Sequence, residues 1–171
     1  MMGRYPKWLS RFFTAVLFMV VFFGVRAWQH QNLARGTAPP LEAQDLNGHW
    51  HSSRNFHGQP VLVHFWATWC AICRLEERSI AAIAQDWPVI AVAIQSGSTN
   101  SVRAYLEEKN LKFTVVNDEH GALASRYGVK GVPTSFILDP EGGIRFTEVG
   151  YTTSLGLRLR LWWAGRFHTK H

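Results

Sequence analysis

Six residues, Val61-Leu-Val-His-Phe-Trp66, run apolar and β-branched, and three residues later comes Cys70-Ala-Ile-Cys73, which holds both cysteines of the chain. A continuous apolar run of this length reads as a strand buried on both faces, which demands helices above and below its sheet. Apolar residues then recur at Ile72, Leu75, Ile80, Ile83 and Ala84, a spacing that predicts a helix from Cys70 to about Gln85. Both cysteines therefore fall on the first turn of a helix that leaves a central strand.

The rest of the pattern agrees with a mostly parallel sheet covered by helices. Strands are expected at Pro88–Ile94 and Phe113–Val116, and helices at Asn100–Lys109 and Gly121–Tyr127. After Gly131-Val-Pro-Thr134, the stretches Ser135–Leu138 and Ile144–Val149 flank the turn Pro140–Gly143 and should form a hairpin. A smaller hairpin is expected around Asn47-Gly48, between Ala43–Leu46 and His49–Ser52, because both turn residues tolerate positive φ. Near the C-terminus Leu155, Leu157, Leu159 and Leu161 alternate, yet the residue types favour a helix, with Leu155, Leu159 and Trp162 sharing one face.

Net charge is +6, but residues 42–157 carry nine basic and twelve acidic residues, so the positive charge belongs to the two ends. No basic stripe with interleaved aromatics crosses the middle, which argues against a nucleic-acid partner. At the N-terminus Arg4, Lys7 and Arg11 precede the uncharged run Phe12–Val25. Extended from Trp8 to Trp28, that run gives an expected single membrane-spanning anchor of about 31 Å, with Arg11 and Arg26 snorkelling outward. The positive-inside rule then places the following domain across a bacterial inner membrane, in the periplasm. A cleavable signal peptide is the competing reading, with Val25-Arg26-Ala27 as a weak cleavage site. The expected organisation is a cytoplasmic stub and anchor at 1–28, a polar linker at 29–40, a folded domain at 41–166 and a tail at 167–171.

A cysteine at a helix N-terminus sees unpaired N–H groups and the positive end of the helix dipole, which lower a thiol pKa from about 8.5 toward about 3.5–7.5. Cys70 is thus the expected nucleophile and Cys73 the expected resolving thiol, the pair cycling between dithiol and disulfide with no other cofactor. A structural disulfide would close too small a loop to stabilise much. A zinc site lacks a second cysteine pair. His49, His51 and His57 lie close in sequence and supply a separate reading, copper binding, with His49 and His51 on one side of a strand.

Phe65-Trp-Ala-Thr-Trp-Cys-Ala-Ile-Cys73 together with Gly131-Val-Pro-Thr-Ser-Phe136 resembles the thioredoxin superfamily. Within it the chain is most similar to the membrane-anchored TlpA/ResA-like proteins, and especially to the suppressor-of-copper-sensitivity protein D type. The resemblance implies a thioredoxin-like α/β fold of three layers, with a mixed central sheet, an N-terminal β-hairpin and a central αβ insertion. It implies disulfide exchange or reduction on exported proteins, with electrons from a transmembrane thiol donor of the DsbD or ScsB kind, and a connection to copper tolerance. A disulfide-forming oxidase is the alternative direction. It further implies that Pro133 is cis and that Val132, Pro133 and Thr134 form a loop facing the cysteines and receiving substrate. Glu76 stands where the ResA-like branch carries an acid thought to tune the thiols, and a solvated helix carboxylate is the alternative; Trp69 is a further candidate for tuning. His64 takes the strand position where thioredoxins hold a buried Asp and many relatives an Asn. It reads either as a proton carrier or as a core histidine bonded to backbone. A peroxidase would need Thr three residues before the reactive cysteine, where Ala67 stands.

Overall fold

The computed structural model describes residues 7–30, 33–52 and 58–166. The chain divides into two compact units, Met1–Asn32 and Leu33–His171. Among its described residues the first holds one helix, α1 (Lys7–His30), whose described side chains from Arg11 to Val25 are all exposed. The uncharged part of α1, 14 residues from Phe12 to Val25, rises about 21 Å against a hydrocarbon core of about 30 Å. Among the described residues no helix is long and apolar enough to cross a membrane, so the expected spanning anchor is not met.

In the second unit a five-stranded sheet is built from β3 (Val61–Trp66), β4 (Val89–Ile94), β5 (Thr114–Asp118), β6 (Thr134–Leu138) and β7 (Ile144–Val149). The strand order is β5-β4-β3-β6-β7, with β3, β4 and β5 parallel and β6 and β7 antiparallel. The sheet is mixed and β3 is central, fully buried along its length. A separate two-stranded sheet pairs β1 (Glu42–Gln44) with β2 (Trp50–Ser52). It is joined to the outer edge of the main sheet by the bridge Asp45–Val116. Its turn is longer than the two-residue hairpin expected at Asn47-Gly48. The Asp45 carboxylate accepts the backbone N–H groups of Asn47 (2.8 Å) and His49 (3.0 Å), and this local turn outcompetes a tight one.

The helices divide between the two faces of the sheet. One face buries Val63, Phe65, Val92 and Phe136 against Leu123, Ala124 and Tyr127 of the short helix α4 (Ala122–Arg126) and its end. The opposite face carries α2 (Ala71–Ile83), α3 (Thr99–Glu108) and α5 (Ser154–Arg166). The inserted pair is α3 with β5, between β4 and α4, and β5 supplies the outer edge of the sheet.

Two helices bury a different stripe from the one their apolar residues suggest. In α2 the buried residues are Cys73, Glu76, Ile80 and Ile83, while Ile72 and Leu75 are exposed. In α5 the buried residues are Leu157, Leu161 and Ala164, whereas Leu155, Leu159 and Trp162, expected to share one face, lie outward. Both stripes follow the 3.6-residue period, and the alternating leucines of α5 satisfy that period in two registers.

Residues 33–40, expected as part of a loose linker, belong to the folded unit. Leu33 is buried, the Ala34 N–H donates to Tyr127 O (3.0 Å), the Ala38 N–H to Gly142 O (3.0 Å), and Thr37 bridges Gly143. The domain therefore starts at Leu33 rather than Leu41.

Candidate active site

Strand β3 delivers the chain at Trp66 to a short turn, and Cys70 becomes the residue that caps α2. Its φ of −83° and ψ of 111° are extended, and its Sγ accepts the N–H of Cys73 at 3.2 Å. A side-chain acceptor at this position satisfies one of the N–H groups that every helix start leaves open, here with sulfur in place of the usual oxygen. The same N–H would stabilise a thiolate at Cys70. As a thiol, Cys70 donates toward Val132 O at 3.6 Å. The two thiols are unbridged and buried, rimmed by the exposed side chains of Trp69 and Ile72.

Cys73 is the deeper sulfur. Burial pushes its thiol pKa strongly up, and the hydrogen bond with Cys70 and the charges of Cys70 and Glu76 add to the shift. Cys73 is therefore held as a thiol until a base removes its proton.

The Val132–Pro133 peptide bond is cis. Val132 O faces Cys70 Sγ at 3.6 Å. The Pro133 carbonyl is already engaged, accepting Gly150 N–H at 2.9 Å, and Thr134 Oγ1 donates to Gly131 O at 2.8 Å. Thr134 also pairs with Phe65 of β3, which fixes the loop beside the turn that carries the cysteines.

Behind the sulfurs lies a buried polar chain. Glu76 is 1% exposed, so it is not a solvated helix carboxylate. Its Oε2 accepts the Thr152 N–H at 3.0 Å, while its Oε1 has no hydrogen-bond partner and lies 3.7 Å from His64 Nε2. Burial raises the Glu76 pKa to about 7, the Thr152 bond opposing the shift. His64 is equally buried, and burial lowers its pKa to about 4. Its Nδ1 is 2.9 Å from Ser135 Oγ, so the ring is held by a side-chain hydroxyl rather than by backbone. Ser135 had no signal in the sequence. It meets His64 only because β3 and β6 pair antiparallel in the register His64–Ser135.

Trp69 does not spend its indole N–H on a sulfur but donates it to Gln95 O at 3.1 Å, bracing the turn against the end of β4. His49 and His51 do converge, on the Asp45 carboxylate, at 3.4 and 3.0 Å. Burial works against ionisation of Asp45, but the bonds from His51 and from the backbone of His49 and Asn47 outweigh it and hold the carboxyl below its usual range. Among the described residues no group of three His, Cys, Asp or Glu could hold a metal ion, and His57 lies outside them.

Comparison with known proteins gives a match to the AhpC/TSA family over residues 34–147. A thioredoxin-like protein of Haemophilus influenzae is 35% identical over 129 residues, 74% of this chain and 77% of that one. The thiol-disulfide oxidoreductase ResA of Geobacillus thermodenitrificans is 30% identical over 129 residues, 73% and 74% of the two chains. The crystal structure of StoA from Bacillus subtilis superposes with a TM-score of 0.64 at 25% identity, covering 71% of this chain and 95% of that one.

Proposed function

We propose, for a chain that belongs to the AhpC/TSA family and is a thioredoxin-like protein disulfide oxidoreductase, that Cys70 and Cys73 reduce disulfides of exported proteins. The observation that carries this reading is the placement of Cys70, whose sulfur caps α2 beside the Cys73 N–H and faces Val132 O at the cis-proline loop. In the first step the Cys70 thiolate attacks one sulfur of a substrate disulfide. That S–S bond breaks, a mixed disulfide forms, and the other substrate sulfur leaves as a thiolate. In the second step Cys73 gives its proton to the Glu76 carboxylate and attacks the Cys70 sulfur. The substrate leaves as its second thiolate, two electrons have moved, and Cys70 and Cys73 are left joined.

The reductant direction follows the resemblance to the ResA-like branch, and the reduction potential of the Cys70–Cys73 pair decides it. Regeneration would then come from a transmembrane thiol donor of the DsbD or ScsB kind. Arg4, Lys7 and Arg11 ahead of the short apolar run Phe12–Val25 fit the signal-peptide reading, which supports a site of action outside the cytoplasm. Peroxidase chemistry, which needs Thr three residues before the reactive cysteine, is disfavoured by Ala67 at that position.

Titration of the full chain in detergent micelles against glutathione and dithiothreitol tests the assignment. A reduction potential near that of thioredoxin, about −270 mV, is expected, while one near −120 mV would make the protein an oxidase. Failure of Cys70 and Cys73 to join at any poise overturns the redox reading.

A further inference from the structure

We propose that His64 and Ser135 form an amphoteric partner for Glu76, in which the neutral imidazole moves its single proton from Nδ1 to Nε2 when the carboxyl ionises. This assigns His64 and Ser135 as positioning residues for the proton that Glu76 takes from Cys73, and in that purpose it rests on the redox reading above.

The geometry leaves little choice of arrangement. Glu76 Oε2 accepts from the Thr152 N–H, so it is the acceptor oxygen in either protonation state, and the proton of a neutral Glu76 belongs on Oε1. Among the described residues Oε1 has no hydrogen-bond partner and faces His64 Nε2 at 3.7 Å, and a movement of about 1 Å closes that gap into a hydrogen bond. When Oε1 carries a proton, Nε2 must be bare to accept it, and the ring proton sits on Nδ1, donated to Ser135 Oγ. When Oε1 is ionised, Nε2 must carry the proton, and Nδ1 is bare.

The second state works only if the group opposite Nδ1 can turn from acceptor to donor. A hydroxyl does so by rotation, whereas a backbone carbonyl could only accept and a backbone N–H could only donate. Ser135 Oγ, 2.9 Å away, is such a group. On ionisation Oε1 passes its proton to Nε2 while Nδ1 passes its own to Ser135 Oγ, whose hydroxyl proton is released to solvent, so the ring is neutral before and after. The site as a whole changes by the single proton that Glu76 gains or loses. His64 at 2% and Ser135 at 3% exposure are buried, so bulk water does not stand in for a missing donor.

The charged and titratable groups around this chain come from each neighbouring element. Cys73 and Glu76 face it from α2, and Ser135 from β6. Next to Ser135 in register is Glu148 of β7, which is held by Arg160 of α5 at 2.7 Å. Glu148 is thus neutralised by its own partner and leaves Glu76 as the group that sets the ring's tautomer.

Nitrogen NMR of the full chain in detergent micelles, labelled with ¹⁵N-histidine and with His64 assigned by its loss in His64→Asn, reads the tautomer directly. The expected result is a neutral ring that passes from Nδ1–H to Nε2–H as pH rises through the titration of Glu76. Glu76→Gln should lock the Nδ1–H form at every pH. Its amide oxygen must accept from Thr152 N–H, which turns the amide NH₂ toward Nε2. Ser135→Ala should move the midpoint of the transition. A tautomer that stays fixed from pH 5 to 9 in the unsubstituted protein, or a ring that becomes doubly protonated there, overturns the proposal. These signals do not depend on disulfide formation, so a failed potential titration with an intact tautomer transition would sink the redox reading alone.

Discussion

At Glu76 the cost of burying a carboxylate becomes measurable as stability. Its pKa rises from 4.5 to about 7 on folding, so the folded state binds a proton that the unfolded state has already released between those values. The stabilisation is complete below pH 4.5 and is lost as pH rises through about 7, and at about 1.4 kcal/mol per unit it amounts to about 3 kcal/mol. Glu76→Gln keeps the neutral form at every pH. Urea unfolding should therefore show the variant gaining on the unsubstituted protein by about this amount from pH 4.5 to 7.5, and a constant difference would contradict the burial of Glu76. The two sulfurs should part company in the same way. Cys73→Ser is expected to retain the first step and accumulate a mixed disulfide with a test substrate, visible by intact-mass analysis. Cys70→Ser, whose remaining thiol is buried and held protonated, should form little or none. The cysteines were legible in the sequence because a strand-to-helix turn and a spacing of three announce themselves locally. Ser135 was not, because it becomes a neighbour of His64 only once the antiparallel register of β3 and β6 is known.

Among the elements, α2 and α5 show why a correct helix can be assigned to the wrong face. An apolar count along α2 selects Ile72 and Leu75, but at the first turn the buried stripe continues through Cys73 and Glu76, because the functional residues occupy places that Leu or Ile would fill elsewhere. The apolar pair is left outward at the rim of the site. In α5 the leucines at 155, 157, 159 and 161 offer two equivalent stripes. Packing against Leu62, Ile80, Ile83 and Ile137 chooses the one containing Leu157 and Leu161. The choice can be read out by a pair of substitutions. Leu161→Ala empties a fully buried place and should cost about 2–5 kcal/mol, whereas Leu159→Ala, at 58% exposure, should stay within about 0.5 kcal/mol. Equal losses in thermal or urea unfolding would mean that α5 is seated on the other face. The strands were easier to read, since β3 and β4 are buried on both faces and their apolar runs leave no face to choose.

For the molecule as a whole, the consequential difference is where the folded unit begins. A polar stretch with Gly36, Pro39 and Pro40 reads as a tether because its side chains signal nothing. What holds it is mostly backbone, and backbone pairing with distant segments leaves no mark on composition. The Ile144 N–H donates to Gly36 O at 2.7 Å and the Tyr127 hydroxyl to Pro39 O at 2.9 Å. Tyr127 in turn packs tilted against Phe65 and edge-on against Phe136, ring centroids 5.1 Å from each, and Phe65 lies on β3, the strand that leads into the cysteine turn. The segment 33–40 thus closes the side of the sheet opposite α2, behind the strand that carries the site. A chain starting at Leu33 should be more stable than one starting at Leu41 by about 2 kcal/mol or more, because the shorter one loses the burial of Leu33 and the acceptor for the Tyr127 hydroxyl. Urea unfolding of the two chains decides it. The shorter chain should also lose near-ultraviolet dichroism from the Tyr127–Phe65–Phe136 cluster before its far-ultraviolet signal changes. Equal midpoints would return residues 33–40 to the role of a loose connection.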